Sequence, residues 1–182
     1  MMKHNTLRIF ASVPVLTVIL LCLSCTAVKK SAPQPASPAV ETAAITENIT
    51  WLVGRCDSTV ASFLRRREWY SGGAHGNVQL ESFAWDQGAK REITLDDLLP
   101  RTACRDLPAL AAFARIELER TINPAGDQNM SAMIAQGTAA TAENFSTFLV
   151  EETGGISIYF QAYQVAPWSF GTPKVTLPLV MP

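Results

Sequence analysis

The uncharged run from Ile9 to Cys25 follows a short basic start at Lys3, His4 and Arg8, and it limits how much of this chain is left to fold. A basic start, an apolar run and small residues at its end are the layout of an export signal. The run is at the short edge of a bilayer span and contains Pro14, with Lys29 and Lys30 behind it, so an uncleaved anchor is the other reading. Residues 29–44, KKSAPQPASPAVETAA, carry three Pro and no aromatic side chain, too little apolar surface to support a core. The chain therefore divides into a signal peptide at 1–24, a flexible tether at 25–45 and a folded part at 46–182. That last part is large enough for one real core and too small for two ordinary domains.

The segment Leu21-Cys22-Leu23-Ser24-Cys25-Thr26 resembles a bacterial lipobox, in which a small residue precedes the Cys that is diacylated and palmitoylated; Cys22 stands where Leu is usual. The resemblance implies cleavage before Cys25 and attachment to the membrane through lipid. Ordinary signal cleavage after Ala27 is the alternative. A tether directly behind a lipid-bearing Cys would hold a domain clear of the membrane, in the cell envelope. Thr26, rather than Asp, beside that Cys points to an outer membrane facing the periplasm if the source has two membranes. After removal of 1–24, 13 Lys and Arg stand against 16 Asp and Glu. That mild acidity gives no footprint for nucleic acid.

Two Cys remain for the folded part, Cys56 and Cys104, and they read equally as a disulfide in an oxidising compartment or as two buried thiols. His75 is the lone His after the export segment and no Cys-x-x-Cys occurs, so no metal site and no cofactor are expected. Ile49, Leu52, Val53, Cys56, Val60, Phe63 and Leu64 recur at helical spacing, which predicts an amphipathic helix from about 47 to 66 with Thr46 as its cap. Arg65, Arg66 and Arg67 would then be cations at its C-terminal end. A hairpin is predicted across Asp86-Gln87-Gly88, one helical turn in Thr94 to Pro100, and a second long helix from Asp106, with further turns near Met130. Phe145 to Val150, Ile156 to Phe160 and Val175 to Leu177 read as strands. The class is α+β, an antiparallel sheet built from hairpins with two main amphipathic helices packed on it.

Tyr70-Ser71-Gly72-Gly73-Ala74-His75-Gly76 and Tyr159 to Gly171, YFQAYQVAPWSFG, resemble the two signature stretches of the RsiV-like C-terminal domain, a domain of unknown function. Ile93 to Leu99 resembles that family's middle segment. The resemblance implies an extracytoplasmic α+β binding module; one member is an anti-sigma factor that binds lysozyme, and related domains occur in envelope lipoproteins and beside a peptidoglycan deacetylase. The part before Tyr70 looks shortened against the family, and no cytoplasmic sigma-binding segment is seen ahead of the export signal.

Binding candidates are Tyr70, Gly72, Gly73, His75, Tyr163, Pro167 and Trp168, with a protein or glycan as partner. Tyr163, Pro167, Trp168 and Phe170 either form an aromatic recognition edge or pack on the sheet. Catalysis by His75 as general base would need an orienting carboxylate such as Asp96 or Asp97, together with a nucleophile or metal, and the spacing supplies no such set. No catalytic residue and no enzymatic activity are therefore expected. A cell-wall hydrolase built on His75 is the rival reading.

Overall fold

The computed structural model describes residues 46–178; the expected signal peptide, the expected lipidation site Cys25 and the expected tether lie outside them. Within those bounds the predicted helix at 47–66 is instead two long strands, β1 (Thr46–Cys56) and β2 (Val60–Tyr70), paired antiparallel. The apolar residues at helical spacing fall on both faces of these strands, Ile49 and Val53 outside and Leu52 and Leu64 inside, so strands apolar on both faces mimic the helical period. Composition then decides, because the stretch is rich in aromatic and β-branched residues and has Gly54 where a helix interior would lose about 1 kcal/mol. Asp57 turns the chain: its Oδ1 accepts from the N–H of Thr59 at 2.7 Å and of Val60 at 2.9 Å. Thr46 is therefore no helix cap. The three Arg lie in a strand, where Arg65 pairs with Glu81, Arg66 with Glu68 and Arg67 with Glu47.

Strand β3 (Asn77–Asp86) and the short β4 (Arg91–Glu92) complete a four-stranded antiparallel sheet in the order β1-β2-β3-β4. Residues directly paired share a face, so Val53, Phe63 and Phe83 lie together on the outer face and Leu52, Leu64 and Ser82 on the inner one. After β4 come a single helical turn, α1 (Leu95–Leu98), then α2 (Leu107–Ile122) and α3 (Gln128–Gly137). Asp106 caps α2 by accepting from the N–H of Ala109 at 2.8 Å, and Pro108 sits in the first turn, where no N–H is needed. Buried Asn123 ties the two helices together, donating to Glu119 at 2.7 Å and Ser131 at 2.9 Å.

A second antiparallel sheet, β5-β6-β7, is formed by Phe148–Val150, Gly155–Tyr159 and Lys174–Pro178. The class is α+β, with two sheets where one was expected and with α2 and α3 as the main helices. Leu110, Ala114 and Leu118 of α2, Ile134 of α3, and Ile156, Ile158, Val175 and Leu177 of the second sheet join Phe145 and Phe160 in the main core. Hydroxyls on the inner face of the first sheet take the place of a neighbouring strand for β5. Ser62 Oγ accepts from the N–H of Val150 at 3.0 Å, while Ser82 Oγ accepts from the N–H of Phe148 at 2.6 Å and donates to its carbonyl. A buried strand edge is thereby satisfied without a ladder. Gly54 allows this approach, since a Cβ there would stand 2.2 Å from the carbonyl oxygen of Val150.

Candidate functional site

Two loops converge beside the end of the first sheet. One leaves β2 at Tyr70, and its Gly72 and Gly73 have φ of 97° and 105°, a region that favours glycine. The Tyr70 hydroxyl donates to the carbonyl of Gly73 at 2.9 Å and closes the turn. This presents His75, whose Nδ1 lies 2.7 Å from the carbonyl of Gly76. A carbonyl only accepts, so Nδ1 carries the proton, and Nε2 is left to accept from the Tyr163 hydroxyl at 2.7 Å.

The other loop follows β6. Its glutamines pin it in place: Gln161 accepts from the Leu80 N–H at 3.0 Å and donates to the Leu80 carbonyl at 2.8 Å, as a strand would, and also donates to Thr147 at 3.2 Å. Gln164 donates to the carbonyls of Gly137 at 3.0 Å and Asn144 at 2.9 Å. Between these two glutamines Tyr163 is held at φ 67°, a left-handed conformation rare for a bulky residue, and the residue is 52% exposed rather than buried against the sheet. Pro167 leads into a single tight turn, Trp168–Phe170, which carries Trp168 over His75 with ring centroids 4.4 Å apart and planes 14° from parallel. The Tyr163 ring lies 5.8 Å from that of His75 and 6.1 Å from that of Trp168.

Trp168 of this cluster lines an open cleft of about 540 Å³, whose other aromatic lining residues are Trp69 and Tyr70. Its polar lining includes Glu47, Asn48, Arg66, Glu68, Asn77 and Ser169. Arg66 donates to Glu68 through both Nε (2.9 Å) and Nη2 (2.6 Å) and reaches Thr172 at 3.3 Å. Those Arg66 hydrogen bonds hold the Glu68 carboxyl below its usual range, with a smaller contribution from Asn48. The cleft therefore combines aromatic rings with a network of paired donors and acceptors in its lining.

The structure brings Tyr70, Gly72, Gly73, His75, Tyr163, Pro167 and Trp168 into one neighbourhood. Arg66, Glu68, Asn48 and Asn77 were not expected there, because the segments that carry them read as a helix and an unremarkable strand. The alternation Arg66-Glu68-Tyr70 along a strand face was the signal available. Asp96 and Asp97 are not partners of His75. Asp97 instead pairs with Arg91 at 2.8 Å and accepts from the N–H and hydroxyl of Thr94, each at 2.8 Å, which together hold its carboxyl far below the usual range. Among the described residues His75 has no carboxylate, Ser or thiol as a hydrogen-bond partner, so the arrangement required for a His75 general base is not assembled. Cys56 is exposed, Cys104 is buried, and both are free thiols; burial, together with Asp106, raises the Cys104 pKa. No group of three or more His, Cys, Asp or Glu side chains is placed to hold a metal among the described residues.

Residues 96–179 match DUF3298, a family of proteins of unknown function. The DUF3298 match begins inside α1 and contains Tyr163, Pro167 and Trp168, whereas Tyr70, Gly72, Gly73 and His75 precede it, so the cleft straddles its boundary. A DUF3298 family structure from Bacteroides fragilis superposes with a TM-score of 0.58 at 19% identity, over 78% of this chain and 54% of that one. Another from Pseudomonas aeruginosa gives 0.54 at 16% identity, over 74% and 58%. These two establish likeness of fold. The chain is also 33% identical over 108 residues to the peptidoglycan-N-acetylmuramic acid deacetylase PdaC of Bacillus subtilis (strain 168), which covers 59% of this chain and 22% of that protein. The expectation that no enzyme would be found here is corrected by this relative, which is one.

Proposed function

We propose that this protein is a cell-envelope lipoprotein, anchored through lipid on Cys25, whose folded domain binds the glycan of the cell wall in the cleft beside Trp168. One observation carries the reading: the Trp168 ring, stacked on His75, and a preorganised polar network line a single open cleft. Sugar rings have an apolar C–H face and a rim of hydroxyls, so they suit a site with both an aromatic wall and fixed polar partners. His75 supports the Trp168 ring from beneath and is itself held at both nitrogens, which limits the ordering cost on binding. The kinship with a peptidoglycan deacetylase supports a cell-wall ligand, and the resemblance to RsiV-like domains supports an extracytoplasmic location.

Co-sedimentation with purified peptidoglycan sacculi tests the reading, with intrinsic tryptophan fluorescence as a second readout. Wild-type protein should pellet, and Trp168→Ala should weaken binding at least tenfold, about 1.4 kcal/mol, with its circular dichroism unchanged. Equal pelleting of the two would refute the cleft as the site. Lysozyme as bait in the same measurement tests a protein partner. Fatty-acid labelling that persists in Cys25→Ala would refute the anchor.

A further inference from the structure

Tyr163 borders a second cavity of about 280 Å³ on the helical side, together with Met133, Gln136, Gly137, Asn144 and Gln164. Trp168 lines the first cleft and Tyr163 the second, and the centroids of their rings lie 6.1 Å apart, a separation on the scale of one sugar ring. We infer that the two cavities are consecutive subsites of one groove for an N-acetylated glycan strand, with Tyr163 and Trp168 as the ridge between them.

The inference rests on the glycan reading of the first cleft and adds to it a direction, a length and a substituent. No charged side chain lines the second cavity, so it suits a neutral part of the ligand, in contrast to the Arg66 and Glu68 of the first. Gln164 and Asn144 already spend their amide N–H groups on backbone carbonyls. Gln136 is exposed, and its side-chain amide makes no hydrogen bond to the described residues. One amide can donate to and accept from an acetamido group at the same time, while the Met133 thioether gives the acetyl methyl an adaptable apolar contact. The left-handed Tyr163 fits this placement. A bulky residue at positive φ costs of order 1–3 kcal/mol and persists where its surroundings over-determine it, as the Gln161 and Gln164 clamps do here.

The test is a chain-length series of β-1,4-linked N-acetylglucosamine oligosaccharides, disaccharide to hexasaccharide, titrated calorimetrically into the full-length protein. Wild-type affinity should rise by about tenfold or more with length. Gln136→Ala and Met133→Ala should lose most of that gain while keeping the disaccharide affinity. Gln136 is exposed, so its variant reports even if Met133→Ala perturbs the helix. Affinity independent of length, or variants that weaken every length equally, would overturn the inference and leave the first cleft standing. Protein that pellets with sacculi but binds no oligosaccharide also overturns this inference alone; protein that does neither overturns the cleft reading with it.

Discussion

Gly137→Ala sets two physical effects of opposite sign against each other. Gly137 is the last residue of α3, and helix propensity alone favours Ala there by up to about 1 kcal/mol. The tertiary structure opposes it. A Cβ on Gly137 would stand 2.0 Å from the carbonyl oxygen of Gln164 and 2.7 Å from Val165 Cγ1, well inside the 3.0 Å that real Cβ contacts essentially never breach. The obstacle is backbone, so relief requires the 161–165 turn to move by roughly an ångström. Overpacking of this kind costs about 1–3 kcal/mol. The shift also strains the Gln164 bonds to Gly137 and Asn144, worth about 1 kcal/mol each. Set against the propensity gain, the net loss is about 2–4 kcal/mol, or a fall in Tm of roughly 6–20 °C for a domain of this size. Urea unfolding followed by circular dichroism and tryptophan fluorescence measures it. A midpoint equal to or above wild type would refute the reasoning, since propensity would then have won.

Two further outcomes follow from side-chain environments. Maleimide labelling of the native protein, mapped by mass spectrometry, should modify exposed Cys56 and reach buried Cys104 only in denaturant; equal labelling rates, or protection of both from reagent under denaturing, non-reducing conditions, would contradict the free-thiol arrangement. Asp97, held down chiefly by Arg91 and then by Thr94, has a folded pKa below its unfolded one, so its stabilisation is complete above about pH 4 and drains away as pH falls below that. The stability gap between wild type and Asp97→Asn should therefore be constant from about pH 7 to 5 and narrow below about pH 4. A gap that widens or stays level in acid would refute the assignment.

Local chemistry made much of the fold readable in advance. Asp106 and Pro108 mark the start of α2 because capping involves residues three apart. Thr94 and Asp97 form the box that starts α1, and the alternation from Ile156 to Tyr159 is realised in β6. Class and the order of the later elements follow from such short-range signals. The stretch 47–66 was not readable in this way, since apolar residues on both faces of its strands also recur at helical spacing. Pairing with β3, the next strand, and the close approach of Gly54 to Val150, far away along the chain, select the strand.

The candidate site divides along the same line. Sequence singled out His75 and Trp168 separately, through the glycines beside one and the aromatic motif around the other. That their rings stack, that Tyr163 rather than Asp96 or Asp97 is the partner of His75, and that Arg66 and Glu68 face the same cleft were decided by tertiary structure. The glutamines of the second motif show why. Gln161 and Gln164 read as polar loop residues, yet their amides replace missing strand and helix-end partners on other elements. Capping, turns and periodicity depend on neighbours within a few residues, and the sequence therefore determines them. A cleft depends on which distant loops the packing of two sheets and two helices brings together, and that is settled only when the core closes.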